Sequence, residues 1–516
     1  MEAFIQKYQQ DATGVLSGWD RVRMRGVLRL LAYVNGMLGY LSHVGVRIKD
    51  FGAFVERTCQ QVREASEQVA RRLDRPVQYL LSPAVDKYEE AQNLVRRDQV
   101  KEGLVCVFRC VEPCRAYEVR PDHATRALSL RMRPRKCLHL YHYWMHKDFG
   151  LMHTRLQTWF PFTLEVCING RSWLARQMEQ QGLGYEQRAN CFPWLQDVPA
   201  RQRLMERLLR FRWAEFLRPL ARQVHPLLRR LLQGFPAQYY WSMIESEWAT
   251  DVMFASPQAL ARVYPSLVAG ALTTFSSRDV LRFLGKKGSS SFQGEVTSSY
   301  LHRPEGVRVK HSVQSNSLKM YDKQGNILRV ETTINDPYSF QAYRRKEGDP
   351  KGPRQWRPLR KGVADAPRRA QLCQDINGRY LEALATLDTE RPVQQLVASV
   401  CRPKRWKHRP VRALHPWSAV DQKLLAVVSR GEYVLQGFRN RDLAAHLYPT
   451  VSGDGHEQRR VSARVTRLLR LLRAHSLVRK ISGTHRYRLT AKGRQSTTAI
   501  LRYQSVTLQQ LSKIPA

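Results

Sequence analysis

The sequence predicts an α+β protein: a helical N-terminal region, a core of antiparallel sheet with helices, and a C-terminal unit of helices closed by a small hairpin. Three observations lead there. Apolar residues recur at three- and four-residue spacing over residues 1–100 and again beyond 417. Between 101 and 340 they alternate with polar residues over several short runs. Pro, Gly and charge crowd both ends of the stretch 341–416. Four regions follow: 1–100 helical, 101–340 an α+β core built as one unit or two halves, 341–416 a basic linker carrying a helix, and 417–516 a C-terminal domain of helices closed by a small hairpin. A length of 516 residues accommodates about two to four domains.

In the first region, "DRVRMRGVLRLLAYVNGMLGYL" and "DFGAFVERTCQQVREASEQVARRL" predict two helices, with Asp50 as N-cap of the second. "LVCVFRCVEPCRAYEVR" predicts a strand, and the run from Arg126 to Gly170 a β-meander broken at Arg-Pro, Asp-Phe-Gly and Asn-Gly. "RSWLARQMEQQG" predicts a helix that Gly182 ends. Residues 200–234 predict a basic helix, with arginine on every turn and leucine on the apolar face. "QYYWSMIESEWATDVMF" predicts a strand; Ser256 and Pro257 mark the N-cap and first position of the next helix. "SSRDVLRFLG" predicts a short helix stopped by Gly285, followed by a flexible basic loop, "GKKGSSSFQGEV". "NSLKMYDKQGNILRVETTIND" alternates on both sides of Gln-Gly-Asn and predicts a hairpin. In the linker, "PRRAQLCQDINGRYLEALATL" predicts a helix, and 401–412 a basic tether with Arg405, Trp406 and Lys407 at its centre.

Charge narrows the function classes. Lys and Arg number 85 against 44 Asp and Glu, a formal excess of +41. Such an excess opposes compaction unless a polyanion neutralises it. Nucleic acid is the expected partner, because cations that meet phosphates release condensed counterions. DNA is the first expectation and RNA the second. No apolar run is long enough for a membrane span and no signal peptide is evident, so no membrane partner is expected. Nine cysteines without paired spacing suit a reducing compartment, so a cytoplasmic, nucleoid-associated protein is expected. No G-x-x-x-x-G-K-[ST] loop is present, and no nucleotide cofactor is expected.

Two clusters carry candidate chemistry. His139, His142, His146, Asp148 and His153 lie among aromatic residues; their spacing favours hydrogen-bonded core histidines over a metal site. Glu245, Glu247, Asp251, Glu295 and Glu331 are acids in a basic chain. Glu331 interrupts an apolar strand and asks for a partner. Arg329 supplies one answer; a hard divalent cation, Mg2+ or Mn2+, held by Glu331 with Asp251 or Glu245 supplies the other.

Two resemblances add to this. Residues 417–500 run "WSAVDQKLLAVVSRG", "RNRDLAAHLYP", "EQRRVSARVTRLLRLLRAHSLVRKI" and "THRYRLTAKGRQS": helix, helix, long helix, β-wing. The order resembles winged-helix DNA-binding domains. Val461, Val465, Leu468, Leu469 and Leu472 form the expected core stripe. Arg460, Arg464, Arg467 and Arg470 on the third helix, with Arg486 and Arg488 in the wing, are the expected DNA contacts. Residues 316–336 resemble the basic–x–Tyr–x–Lys … Arg–hydrophobic–Glu hairpin of rolling-circle replication initiators of plasmids and filamentous phages. That resemblance implies metal-dependent nicking by a tyrosine, with Glu331 as metal ligand and Lys319 and Lys323 on phosphate. Tyr321 and Tyr300 are the candidate nucleophiles. The expectation is a nucleic-acid-binding protein of a mobile element, plasmid or phage, replication-initiator-like, with DNA nicking in its core. A non-enzymatic DNA-binding regulator and an RNA-binding or RNA-guided effector are the alternatives.

Overall fold

The computed structural model describes residues 1–503 apart from 123–126, 287–293, 304–305, 347, 350, 388–396, 431–432, 434–436 and 450–454. The basic loop expected at 285–296 lies largely outside the described residues. The chain is α+β, and it divides into two compact units. One comprises Thr13–Met253 and Arg329–Asp375; the other comprises Met1–Ala12, Phe254–Leu328 and the chain from Ile376 onward.

In chain order the strands are β1 (Ala12–Leu28), β2 (Val77–Leu80), β3 (Gly103–Asp122), β4 (Ala127–His146), β5 (Gly150–Gln157), β6 (Leu164–Asn169), β7 (Tyr185–Arg188), β8 (Cys191–Leu195), β9 (Tyr239–Phe254), β10 (Val296–Arg303), β11 (Gly306–Val313), β12 (Asn316–Lys323) and β13 (Ile327–Thr333). In the first unit the sheet order is β13-β9-β1-β6-β5-β4-β3-β2. The β3–β4 and β4–β5 ladders are antiparallel, while β2 joins β3 in parallel. The expected meander and its helix, Gly170–Gln180, are in place, and Gly182 ends that helix at φ +64.

β1 corrects the first half of the helix expected at 20–41, while its second half is helical as Val34–His43. Val22, Met24, Gly26 and Leu28 are buried, while Arg21, Arg23 and Arg25 lie toward solvent. That is a period of two, and residues 16–20 ahead of it are buried on both faces. Trp19 meets Trp248 of β9 edge-on, ring centroids 5.0 Å apart. The second expected helix is present as Phe51–Arg72, with Val55, Val62 and Ala70 buried. Asp50 makes no capping bond to it; its carboxylate accepts from Arg47 instead. The basic stretch 200–234 is not one helix: it breaks into Val198–Arg207, Trp213–Val224 and Leu228–Leu231.

The linker expectation at 341–416 also changes. Gln341–Arg344 and Gln355–Pro358 pair as an antiparallel hairpin, and the helix Ala366–Ala385 follows. In the second unit, β10, β11 and β12 form an antiparallel meander. Ser256 caps the Pro257–Thr273 helix by accepting from the Ala259 amide, and Ser276 with Asp279 forms a capping box on Ser277–Phe283. The turn from β12 to β13 carries Gln324 at φ +58 and Gly325 at φ +85, with the Asp322 carboxylate accepting from the Gly325 amide. Beyond 400, Lys404–Trp406 and Arg409–Val411 form a short hairpin, and the helices Ala419–Val428, Asn440–Leu447 and Gly455–Ala474 pack around Leu424, Leu443, Val465 and Leu472. A second hairpin, Val478–Lys480 with Tyr487–Leu489, is extended by a bridge from Phe438 to Tyr487.

Candidate nucleic-acid interface and acidic cluster

The strand pair β6–β1 and the helix after β6 are locked together by two small details. Asn169 caps the Gly170–Gln180 helix, its Oδ1 accepting from the amides of Arg171 and Ser172. A side chain on Gly170 would collide with the Trp19 carbonyl of β1 at 2.1 Å, so glycine is required at this approach. The same Asn169 donates through Nδ2 to Asp20 Oδ1 at 2.8 Å. Asn190 Nδ2 donates to Asp20 Oδ2 at 2.6 Å, and Arg329 Nη1 donates to the same oxygen at 2.9 Å. Asp20 is therefore a buried, oriented carboxylate.

Glu247 on β9 and Glu331 on β13 complete a group with Asp20 on β1. One carboxylate oxygen of each lies within 4.8 Å of the others. β13, β9 and β1 are consecutive in the sheet, so the three acids come from three neighbouring strands. Asp20 and Glu331 are buried and Glu247 is half-buried. Carboxylates this close repel one another unless a cation or a proton intervenes. Three hard oxygen donors form a set that could hold a metal ion.

The other expected metal ligands, Asp251 and Glu245, lie outside this group. Asp251 is outside the group of three: its Oδ1 accepts from Arg329 Nε at 2.6 Å, and its Oδ2 from Arg329 Nη2 at 2.8 Å. Arg171 Nη2 stands 3.0 Å from the same Asp251 Oδ2. Arg329 and Arg171 are fully buried, so Asp251 belongs to a buried ion-pair network. Glu245 faces Arg21 at 2.6 Å and Arg23 at 3.2 Å in a more exposed position. Arg21 also reaches Glu247 at 3.1 Å. Lys319 and Tyr321 lie on β12, opposite Lys310 and Arg308 of β11, and Lys323 ends the same strand. Tyr300 lies on β10 opposite Val309 and is exposed. Glu295 is exposed just before β10.

The histidine cluster is a buried one. His142 Nε2 is 2.6 Å from Ser66 Oγ, and His139 Nδ1 is 3.1 Å from the Cys137 carbonyl. Burial pulls both imidazoles down to about 4, and His225 likewise.

In the second unit a cleft of about 780 Å³ opens beside the Gly455–Ala474 helix. Lys407, Arg409, Arg439, Arg441, Arg470 and Arg473 line it with His485, Trp406 and Tyr487, and among the described residues no Asp or Glu does. The Arg473 guanidinium lies over the Trp406 ring at 5.1 Å and the Tyr487 ring at 5.9 Å. Lys407 and His408 make the turn of the first hairpin at φ +49 and +62, an uncommon conformation for such side chains. Arg412 anchors that hairpin through a bidentate pair with the buried Asp421, at 2.6 and 2.7 Å. Asn440 ties the second helix to the third by donating to the Ser462 carbonyl and Thr466 Oγ1.

No family model matches the chain, and neither a curated protein nor a solved structure matches it.

Of the expected contacts, the cleft gathers Trp406, Lys407 and Arg470. Arg460, Arg464 and Arg467 are exposed on the same helix but do not line it. At about 100° per residue they fall roughly 120° around from Thr466, Arg470 and Arg473. Arg405 is exposed in the first hairpin; Arg488 lines a separate, smaller pocket with Arg479 and Arg494. Arg486 donates to the Gly437 carbonyl at 3.2 Å. Sequence reasoning placed Arg409 in the basic tether but missed Asp20, Arg439, Arg441, Arg473 and His485. Asp20 did leave a signal, as a lone acid ending the apolar run "GVLSGWD".

Proposed function

We propose that the chain is a DNA-binding protein of the replication-initiator kind, from a plasmid, phage or other mobile element. The basic cleft beside the Gly455–Ala474 helix carries this reading. Six Lys and Arg side chains converge there, and among the described residues no Asp or Glu lines the cleft with them. A phosphate backbone seated in the cleft would meet Arg470, Arg473, Arg439 and Lys407. The exposed arginines at 460, 464 and 467 would then face base edges in the major groove. The helix order with a terminal hairpin supports a winged-helix grip on duplex. Binding assays across a salt series test it: affinity should fall steeply as salt rises, and Arg470→Ala should weaken binding on every sequence.

A second reading concerns chemistry in the acidic group, and the convergence of Asp20, Glu247 and Glu331 favours it. These residues would hold Mg2+ or Mn2+, which supplies charge neutralisation at a scissile phosphate. Arg329, Asn169 and Asn190 fix the Asp20 carboxylate toward that position, while Arg21 restrains Glu247. The activity implied is metal-dependent nicking of one DNA strand. Supercoiled plasmid incubated with Mg2+ and the full chain should relax, and Glu331→Gln and Asp20→Asn should abolish the relaxation. Unchanged nicking by both variants removes the acidic group as its site.

A further inference from the structure

The hairpin Gln341–Arg344/Gln355–Pro358 holds its inward face on Ala342, which is buried, and turns two aromatic rings outward. Tyr343 and Trp356 are direct cross-strand partners, with ring centroids 5.5 Å apart and planes tilted by 54°. Tyr343 is 56% exposed and Trp356 60% exposed. A large aromatic left this bare forgoes much of the stabilisation that burial supplies. The pair stiffens the hairpin, but rings turned toward the protein would do so as well. Residues 344–361 contain eight Lys or Arg and two acids. The Arg368 guanidinium lies 6.0 Å from the centre of the Trp356 ring, and Arg344 ties the hairpin down through the Pro358 carbonyl and Asp365.

We propose that this hairpin is a stacking platform for single-stranded nucleic acid. The occupant follows from the chemistry. Exposed aromatic faces on a cation-rich hairpin, with Arg368 beside the Trp356 ring, complement a ligand with free π-faces on an anionic backbone. A duplex offers the backbone but keeps its base faces stacked inside, so an unpaired strand fits the rings. The proposal rests on the nucleic-acid reading above and adds to it the strandedness of a second contact, on a different unit of the chain.

Fluorescence anisotropy with the full chain tests it, using labelled oligothymidylate and labelled duplex at one salt concentration. The double variant Tyr343→Ala, Trp356→Ala should lose oligothymidylate affinity roughly tenfold or more. Its duplex affinity should stay within about twofold of wild type. Arg470→Glu with Arg473→Glu should show the opposite pattern. Tyr343→Phe with Trp356→Phe should keep oligothymidylate affinity, because stacking needs a ring and no hydrogen bond. Both rings are exposed, so far-UV circular dichroism should match wild type throughout. Unchanged oligothymidylate affinity in the alanine variant overturns the platform and leaves the rings to a protein partner. A wild-type chain that holds duplex but no oligothymidylate overturns the platform alone; one that holds neither removes the duplex reading as well.

Discussion

Arg329 clamps Asp251 with two hydrogen bonds, Nε to Oδ1 at 2.6 Å and Nη2 to Oδ2 at 2.8 Å, and neither residue has access to solvent beyond 2%. The pair explains why an arginine sits two residues before Glu331 on an otherwise apolar strand. It serves Asp251 and Asp20, and through Asp20 it shapes the acidic group. Removing Arg329 leaves the buried Asp251 with Arg171 alone and takes a cation from Asp20, at a cost of about 3 kcal/mol. Arg329→Met should therefore lower the melting temperature by on the order of 10 °C. Scanning calorimetry of the full chain checks this; a shift of a degree or less would show that the network contributes little.

The acidic group behaves differently. Glu331→Gln removes one charged oxygen donor from the group of three, so it should lose the response to metal. Wild type should gain from added Mg2+ or Mn2+, by about 2.7 kcal/mol at a hundredfold excess over the dissociation constant, and Glu331→Gln should not. Thermal melts with and without metal measure both effects. Equal metal-induced shifts in the two proteins would place binding elsewhere.

The buried histidines set a pH dependence. His139, His142 and His225 are held near 4 when folded by burial, against about 6.5 in an unfolded chain. Between these values the unfolded chain binds protons that the folded chain refuses, so stability falls as pH falls. Their stabilising contribution is intact above about pH 6.5 and lost progressively toward pH 4. At pH 5 each costs roughly 2 kcal/mol relative to pH 7.5. Urea midpoints measured at the two pH values should differ accordingly; a flat profile would mean that these imidazoles are charged in the folded protein.

Two sets of arginines on one helix should separate by phenotype. Arg464→Ala, on the exposed face, should relax preference among duplex sequences, by about 1–3 kcal/mol at the base it contacts. Arg473→Ala, in the cleft, should weaken all sequences alike and reduce the salt slope by roughly one. Competition binding against a randomised duplex pool distinguishes them, and identical profiles would contradict the division.

The sequence made the local elements legible wherever a single period ran unbroken. The Gly455–Ala474 stripe of Val461, Val465, Leu469 and Leu472 is buried, and Leu468 is partly so. The Ser256 cap and the Gln324–Gly325 turn needed only neighbouring residues. β1 failed because burial on both faces from Leu16 to Asp20 masks its alternation, and the later arginines imitate a helical face. The hairpin at 341–358 was hidden by Pro and Gly in its long connection. Glu331 was visible as an anomaly, but its neighbours Asp20 and Glu247 arrive through sheet order, which no local pattern encodes. The cleft cations were obscured likewise, because Lys407, Arg439 and Arg473 meet only after three separate elements pack.

The central claim is that the cleft beside the Gly455–Ala474 helix binds a polyphosphate. Its most direct test is the duplex dissociation constant of the full chain, measured from low to physiological salt for wild type and for Arg470→Ala with Arg473→Ala. In wild type, log affinity should fall steeply and linearly with log salt, and the variant's slope should be shallower by roughly two. Duplex binding with the same slope in both proteins, or none at low salt, would contradict it.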